Sequence, residues 1–179
     1  MAILKVLEWP HKVLETKSDE VSEFNDELKQ FVQNMHETMD DYNGIGLAAN
    51  QVGEAKRVIT MYIPHEDSEE NPEKKEEWHN KRFTFINPQI VKKQGKISWQ
   101  EGCLSFPGLF EYIDRASEVW VKAQDENGLE FELHANGLMA VCVQHEIDHI
   151  DGVVFLNRMS RLKATMAKKK LAKQRRDKF

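Results

Sequence analysis

Only two cysteines, Cys103 and Cys142, occur in 179 residues. Two thiols make no disulfide framework, so a reducing, cytoplasmic setting is expected. The thiols are then free for ligation, nucleophilic chemistry or packing. Long apolar runs are missing too: no stretch approaches the roughly 20 residues of a membrane span. The opening Met1-Ala2-Ile3-Leu4-Lys5 has no basic region followed by an apolar run, so no secretory signal is expected. No internal repeat is visible. What remains, with 40% hydrophobic residues, suits one compact domain with one core.

Charge is unevenly spread over this chain. Net charge is −5, yet Asn157–Phe179 holds ten Lys/Arg against the single acid Asp177. That segment carries +9 and the remainder −14. An acidic body with a basic tail can signal an anionic partner. Residues 161–178 are expected to be helical behind a Ser160 cap, with Leu162, Met166 and Leu171 as an apolar stripe. Lys168, Lys169, Lys170, Lys173, Arg175 and Arg176 form a dense cationic group. It serves either as a solvated helix end or as a phosphate-binding surface.

Leu28, Phe31, Val32, Met35 and Met39 recur at helical spacing, with Asn25 placed to cap and Gly44 just beyond the end. Arg57–Ile63 reads as a buried strand. Residues 65–82 hold seven Asp/Glu and four Lys/Arg, an excursion expected to be exposed. Phe83–Ile86, Gln89–Lys93 and Ile97–Trp99 are short strand candidates, the first ended by Asn87-Pro88. Val119–Ala123 and Leu129–Leu133 flank Asp125-Glu126-Asn127-Gly128, a hairpin signal. A second helix is expected from an Asn136 cap to about Ile150, stopped near Gly152. Strands in the middle bracketed by helices give an α+β class.

The chemistry concentrates in that second helix. His145-Glu146-Ile147-Asp148-His149 puts two imidazoles four residues apart on one face, where both can reach one metal ion. Glu146 projects at a different angle, better suited to handling a proton than to ligating beside them. A catalytic site needs a third protein ligand and an open position. Cys142 and Cys103 compete for that role. Cys142 shares the helix face, but a third ligand on the same helix is crowded, and a buried cysteine commonly just fills space. Cys103 lies in the turn-rich Glu101-Gly102-Cys103-Leu104-Ser105-Phe106-Pro107-Gly108, and a separate segment can close a trigonal base without strain.

Gly44-Ile45-Gly46-Leu47-Ala48-Ala49-Asn50-Gln51, Glu101-Gly102-Cys103-Leu104-Ser105 and Gln144-His145-Glu146-Ile147-Asp148-His149 resemble, in order, the three signature motifs of peptide deformylases. The bacterial type with a basic C-terminal helix is the nearest in pattern. The resemblance implies an α+β fold of short antiparallel sheets around a central metal-binding helix, plus a C-terminal helix. Residues 1–160 would carry the metal-dependent domain, and 161–179 a basic helix of the same domain. Cys103, His145 and His149 would hold the metal and Glu146 would be the general base. Gln51 and the Leu104 N–H would bind the developing oxyanion. Ferrous iron is the implied ion in the cell, with zinc, nickel or cobalt able to replace it. The implied reaction is hydrolysis of the N-formyl group from the initiator methionine of new proteins. The implied partners are formyl-methionyl nascent peptides and the ribosome, reached through the basic tail; neither DNA nor a membrane is expected.

Around that centre, Glu101 is placed to orient a ligand histidine, and Arg115 to pair with Glu101 or Asp148. Ile45, Val141 and Cys142 are candidates for an apolar methionine pocket, and Gly44 and Gly46 would let a substrate backbone approach closely. Three features depart from the family's usual pattern. Asn50 stands where proline is common, and Phe106 where a smaller aliphatic is common. Neither is a ligand or donor of the implied site, so both bear on the shape of the cleft. The 65–82 excursion is also longer than the usual turn, and it either overhangs the cleft or is solvated.

Two other functions fit part of the pattern. A zinc endopeptidase uses the same helix, but usually takes its third ligand downstream. Only 30 residues follow His149, without a histidine and with only Asp151 and Asp177 as acids. A non-enzymatic module with a structural metal would normally need four closing ligands.

Overall fold

A computed structural model describes residues 2–64 and 79–177 of the protein. Among the described residues, three α-helices, α1 (Asp26–Asp41), α2 (Gly137–Ile150) and α3 (Arg161–Asp177), surround seven strands. These are β1 (Gly46–Ala48), β2 (Val58–Tyr62), β3 (Arg82–Gln94), β4 (Ile97–Gly102), β5 (Phe110–Arg115), β6 (Glu118–Gln124) and β7 (Glu130–Asn136). The antiparallel order β1-β2-β3-β6-β7 forms one sheet, and β4-β5 forms a separate hairpin. The α+β class expected from the sequence is the class observed.

Period-two alternation decides what each helix covers. Ile59, Met61 and Phe85 face α2, whereas Val58, Ile86 and Leu47 face α1. The large sheet is therefore buried between two helices. α1 begins where Asn25 Oδ1 accepts the Leu28 N–H at 3.0 Å, a side-chain cap for an otherwise unpaired donor. It closes with the Gly44 N–H on the Met39 carbonyl at 2.8 Å. Leu28, Val32, Met35 and Met39 are its buried stripe.

α2 is different: every residue from Met139 to Ile150 is buried. A helix enclosed all round must find partners for each polar side chain it carries. It ends at Gly152, whose φ of +74° no β-branched residue would tolerate comfortably.

Several strand limits move from the sequence reading. Asn87-Pro88 does not end a strand; β3 runs through it with a register shift between Ile86 and Gln89. Asn87 takes a positive φ of 52°, and its side chain bonds Val21 N–H, Val21 carbonyl and Gln124. Those bonds replace the ladder contacts that the bulge removes. β1 and β5 were not among the expected strands. Of the 65–82 excursion only residues 79–82 are described, so its overhang or solvation lies outside the described residues.

α3 follows Ser160, whose hydroxyl accepts the Lys163 N–H at 3.3 Å. The expected stripe is corrected here. Leu171 is buried, but Leu162 and Met166 are 71% and 63% exposed, and Ala167 is the other buried residue. Ala167 and Leu171 join Leu14, Phe106, Ile113 and Phe155 in a core cluster beneath the β4–β5 hairpin.

Candidate metal centre and cleft

Position i, i+4 on α2 brings His145 Nε2 and His149 Nε2 to 3.2 Å. The loop leaving β4 delivers Cys103 Sγ to 3.2 Å from His149 Nε2. The three donor atoms all lie within 4.8 Å of one another. Two donors of a tetrahedral ion, at roughly 2.0–2.3 Å from it, sit about 3.3–3.8 Å apart, so a thiolate and two imidazoles in this triangle fit a divalent transition metal. The triangle is assembled from Cys103 and not Cys142. Cys142 Sγ points instead at the Ile45 carbonyl, 3.8 Å away, and burial pushes its thiol pKa well up.

Behind the triangle runs a chain of charges. His145 Nδ1 meets Glu101 Oε1 at 2.7 Å. Arg115 grips Glu101 with Nε and Nη2 at 2.7 and 2.9 Å and reaches Asp148 with Nη1 at 2.7 Å. Both expected pairings of Arg115 are thus present at once. Asp148 is held further by Arg158, at 2.6 and 3.0 Å. Burial alone would raise the Glu101 carboxyl, but the bonds from Arg115 and His145 outweigh it and hold it below its ordinary value. His149, buried near His145 and Arg115, is held well below an ordinary imidazole. A neutral imidazole is the form that ligates.

Glu146 lies beside the triangle, and one of its oxygens, Oε2, is buried with no partner among the described residues. Burial pushes its carboxyl up to about 7, with His145 opposing and Glu101 adding. A nearby divalent cation pulls such a value down. Gly46 makes room for this carboxylate: a Cβ there would stand 2.5 Å from Glu146 Oε1 and 2.9 Å from Cys142 Sγ. At Gly44 a Cβ would meet Leu104 Cδ1 at 3.0 Å. Gly46 is therefore small to admit Glu146 and not only, as the sequence suggested, to admit a substrate backbone.

One end of the Gln51 amide is tied to its own loop and the other faces the cysteine segment. Its Oε1 accepts the Ala48 N–H at 2.9 Å, which turns Nε2 toward Ser105 Oγ at 3.1 Å and Cys103 Sγ at 3.6 Å. The N-terminal segment underlies both loops, with Leu7 N–H on the Gln51 carbonyl at 2.7 Å and Trp9 N–H on the Ser105 carbonyl at 2.9 Å.

A cleft of about 440 Å³ opens over these groups. Gly44, Ile45, Gly46, Val141 and Cys142 line it as expected, together with Gln51, Leu104, His145 and Glu146. Trp99, Phe110 and Leu138 also line it, and the sequence reading had not singled them out. Their signal was weak: alternation places them on strand or helix faces without saying which face meets the cleft. Phe106 bears on the cleft only from behind, since it is not one of the lining residues. It is fully buried and stacks edge-on with Phe155 at 5.1 Å, behind His145. Asn50 is not among the lining residues either, and its side chain donates to the carbonyl of His149. Arg158 was missed because an arginine nine residues beyond a motif looks like any tail cation.

Comparison with known proteins fits this geometry. Residues 3–165 match the family model for polypeptide deformylase. The chain is 44% identical over 174 residues to a peptide deformylase of Chromobacterium violaceum, covering 97% of each chain. It is 43% identical to peptide deformylase 1 of Pseudomonas syringae pv. tomato, with the same coverage. Among solved structures, peptide deformylase from Ehrlichia chaffeensis superposes with a TM-score of 0.91 at 39% identity, covering 99% of each chain. A second structure of the Ehrlichia protein, in complex with actinonin, gives 0.87 at 40% identity, covering 97% of this chain and 98% of that one. With family model, relatives and solved structures agreeing over nearly its whole length, the chain belongs to the polypeptide deformylase family.

Proposed function

We propose that this chain hydrolyses the N-formyl group from the N-terminal methionine of newly made polypeptides, releasing formate. The observation that carries the reading is the buried Glu146 carboxylate, whose Oε2 has no partner among the described residues, beside the Cys103–His145–His149 triangle. Cys103, His145 and His149 would hold a divalent cation, which would supply the Lewis acidity that makes water nucleophilic near neutral pH. The S/N/N donor set suits iron, zinc, nickel and cobalt alike, and it is the family resemblance that points to ferrous iron as the working ion.

Glu146 accepts a proton from the attacking water and returns it to the leaving amine as the formyl C–N bond breaks. Gln51 Nε2 and the Leu104 N–H donate to the oxygen that gains charge on the formyl carbon. The Glu101–Arg115–Asp148 chain holds His145 so that its Nε2 faces the triangle. Ile45, Val141 and Cys142 receive the methionine side chain, with Gly44 and Gly46 leaving space for backbone. An apolar wall cannot solvate a charge, so formyl-Met peptides are expected to be turned over far faster than formyl-Asp or formyl-Lys peptides. Formate release from formyl-Met-Ala-Ser by the metal-loaded protein tests the reading. Internal cleavage of an unformylated protein instead would favour an endopeptidase.

No helix among the described residues is long and apolar enough to cross a membrane, which suits work in the cytoplasm on nascent chains. α3 would be the contact to the ribosome. Lys163 is engaged with Glu111 and Lys170 with the Gly108 carbonyl. Lys169, Lys173 and Arg176 are exposed and make no ion pair among the described residues, leaving them for RNA phosphate. Reversing these three to Glu should weaken ribosome association in a salt-dependent way and spare short-peptide hydrolysis. Equal binding by parent and variant at low salt would leave α3 a solvated helix. The two segments, 1–160 and 161–179, are read as one domain, since Ala167 and Leu171 belong to a shared core cluster.

A further inference from the structure

The last turn of a helix leaves carbonyls without intrahelical donors. In α2 one of these belongs to His149, a member of the metal triangle. It receives the Gly152 N–H at 3.0 Å and, in addition, the side-chain amide of Asn50. Asn50 is wholly buried and belongs to the one-turn 3₁₀ segment Ala49–Val52 that also carries Gln51. Adjacent residues of one short turn therefore hold the amide aimed at Cys103 and the amide that grips the backbone of His149.

That turn is anchored on its other sides as well. The Leu7 N–H holds the Gln51 carbonyl. Gly53, at φ +93°, closes the turn with its N–H on the Asn50 carbonyl at 3.1 Å. Among the described residues, the Asn50 side chain makes the direct hydrogen bond from this turn to the ligand helix. Its Oδ1 is buried with no partner among the described residues. A role in packing alone would favour an apolar side chain of the same size, because an unpaired buried acceptor is unfavourable. In this chain, what the polar side chain adds over an apolar one is its donor.

We propose that Asn50 is a positioning residue that fixes the separation between the Gln51 amide and the metal triangle, so that one substrate oxygen meets both. Its activity consequence rests on the deformylase reading above; its consequence for metal coordination does not. Without the bond, His149 keeps its place in α2, but the Gln51 turn is free to shift against it and takes with it the Gln51 Nε2 contact to the ligand sulfur Cys103 Sγ, at 3.6 Å.

Asn50→Leu tests this, because leucine nearly matches the shape and removes both donor and orphaned acceptor. Asn50→Ala is the second variant should leucine not fold. The Co2+-loaded proteins are compared for thermal midpoint, visible d–d spectrum, Co2+ affinity and the separate kcat and KM for formyl-Met-Ala-Ser. Expected are a midpoint close to the parent's, KM within about twofold, kcat lower by roughly 10- to 100-fold and a shifted d–d spectrum, the scale seen when groups that orient metal ligands are removed. A parental spectrum with kcat within about twofold would overturn the proposal. So would a loss of kcat that only follows a loss of folded protein. If the parent itself releases no formate, the deformylase reading falls, and the spectra still decide for or against Asn50.

Discussion

Replacing Arg115 by alanine should be the most damaging single change behind the metal centre, for a reason visible in the geometry. Its side chain is 4% exposed, as is that of Glu101, and Asp148 is 12% exposed. Three of its N–H groups meet carboxylate oxygens at 2.7–2.9 Å. Removing one member of a buried ion pair leaves an uncompensated charge, at a cost of about 3–5 kcal/mol. Asp148 keeps Arg158, so most of the loss falls on Glu101. In a chain of this size each kcal/mol lowers the melting point by roughly 2–4 °C, which gives a fall of about 6–20 °C. With Glu101 no longer clamped by Arg115, its hold on His145 slackens, and metal affinity should drop by roughly 10- to 100-fold. Arg158→Ala is the matched control. It removes two bonds to the same Asp148, but its side chain is 45% exposed, so solvent replaces it and the cost should stay near 1 kcal/mol or less. Differential scanning calorimetry and a chelator-competition titration of both variants measure these effects. A melting point for Arg115→Ala within about 2 °C of the parent, with unchanged metal affinity, would refute the reasoning.

Cys103→Ala should abolish tight metal binding, measured by metal content after dialysis, whereas Cys142→Ala should keep it; the reverse result would mean that the wrong cysteine had been placed in the triangle. Glu146→Gln retains shape but cannot take a proton, so it should hold metal yet lose roughly 10²–10⁴-fold in kcat, and near-parental formate release would remove Glu146 from the mechanism. Gly46→Ala places a Cβ where Glu146 Oε1 and Cys142 Sγ now sit, so a destabilisation of about 1–3 kcal/mol should accompany a fall in kcat at unchanged metal content; unaltered kcat would show that Glu146 moves aside freely.

Features governed by near neighbours in the chain were legible before any fold was known. The His145/His149 pair needed only the helical period. The Asn25 and Ser160 caps and the Asp125–Gly128 turn needed only side chains that bond backbone within four residues. The stripe Leu28–Val32–Met35–Met39 needed only one amphipathic face.

Tertiary structure decided the rest, because the deciding partners lie far apart in sequence. Cys142 is three residues from His145 and Cys103 is forty-two, yet the hairpin β4–β5 brings Cys103 to the triangle and helix geometry turns Cys142 away. In α3 the period allowed more than one apolar face. Only the position of Phe106, Ile113 and Phe155 selected Ala167 and Leu171 over Leu162 and Met166. Asn50 and Arg158 gained their roles from a carbonyl 99 residues away and a carboxylate 10 residues away. A buried polar group is satisfied by whatever the fold carries to it. Periodicity therefore located the ligand helix, and only the assembled sheet, hairpin and turn specified what holds it in place.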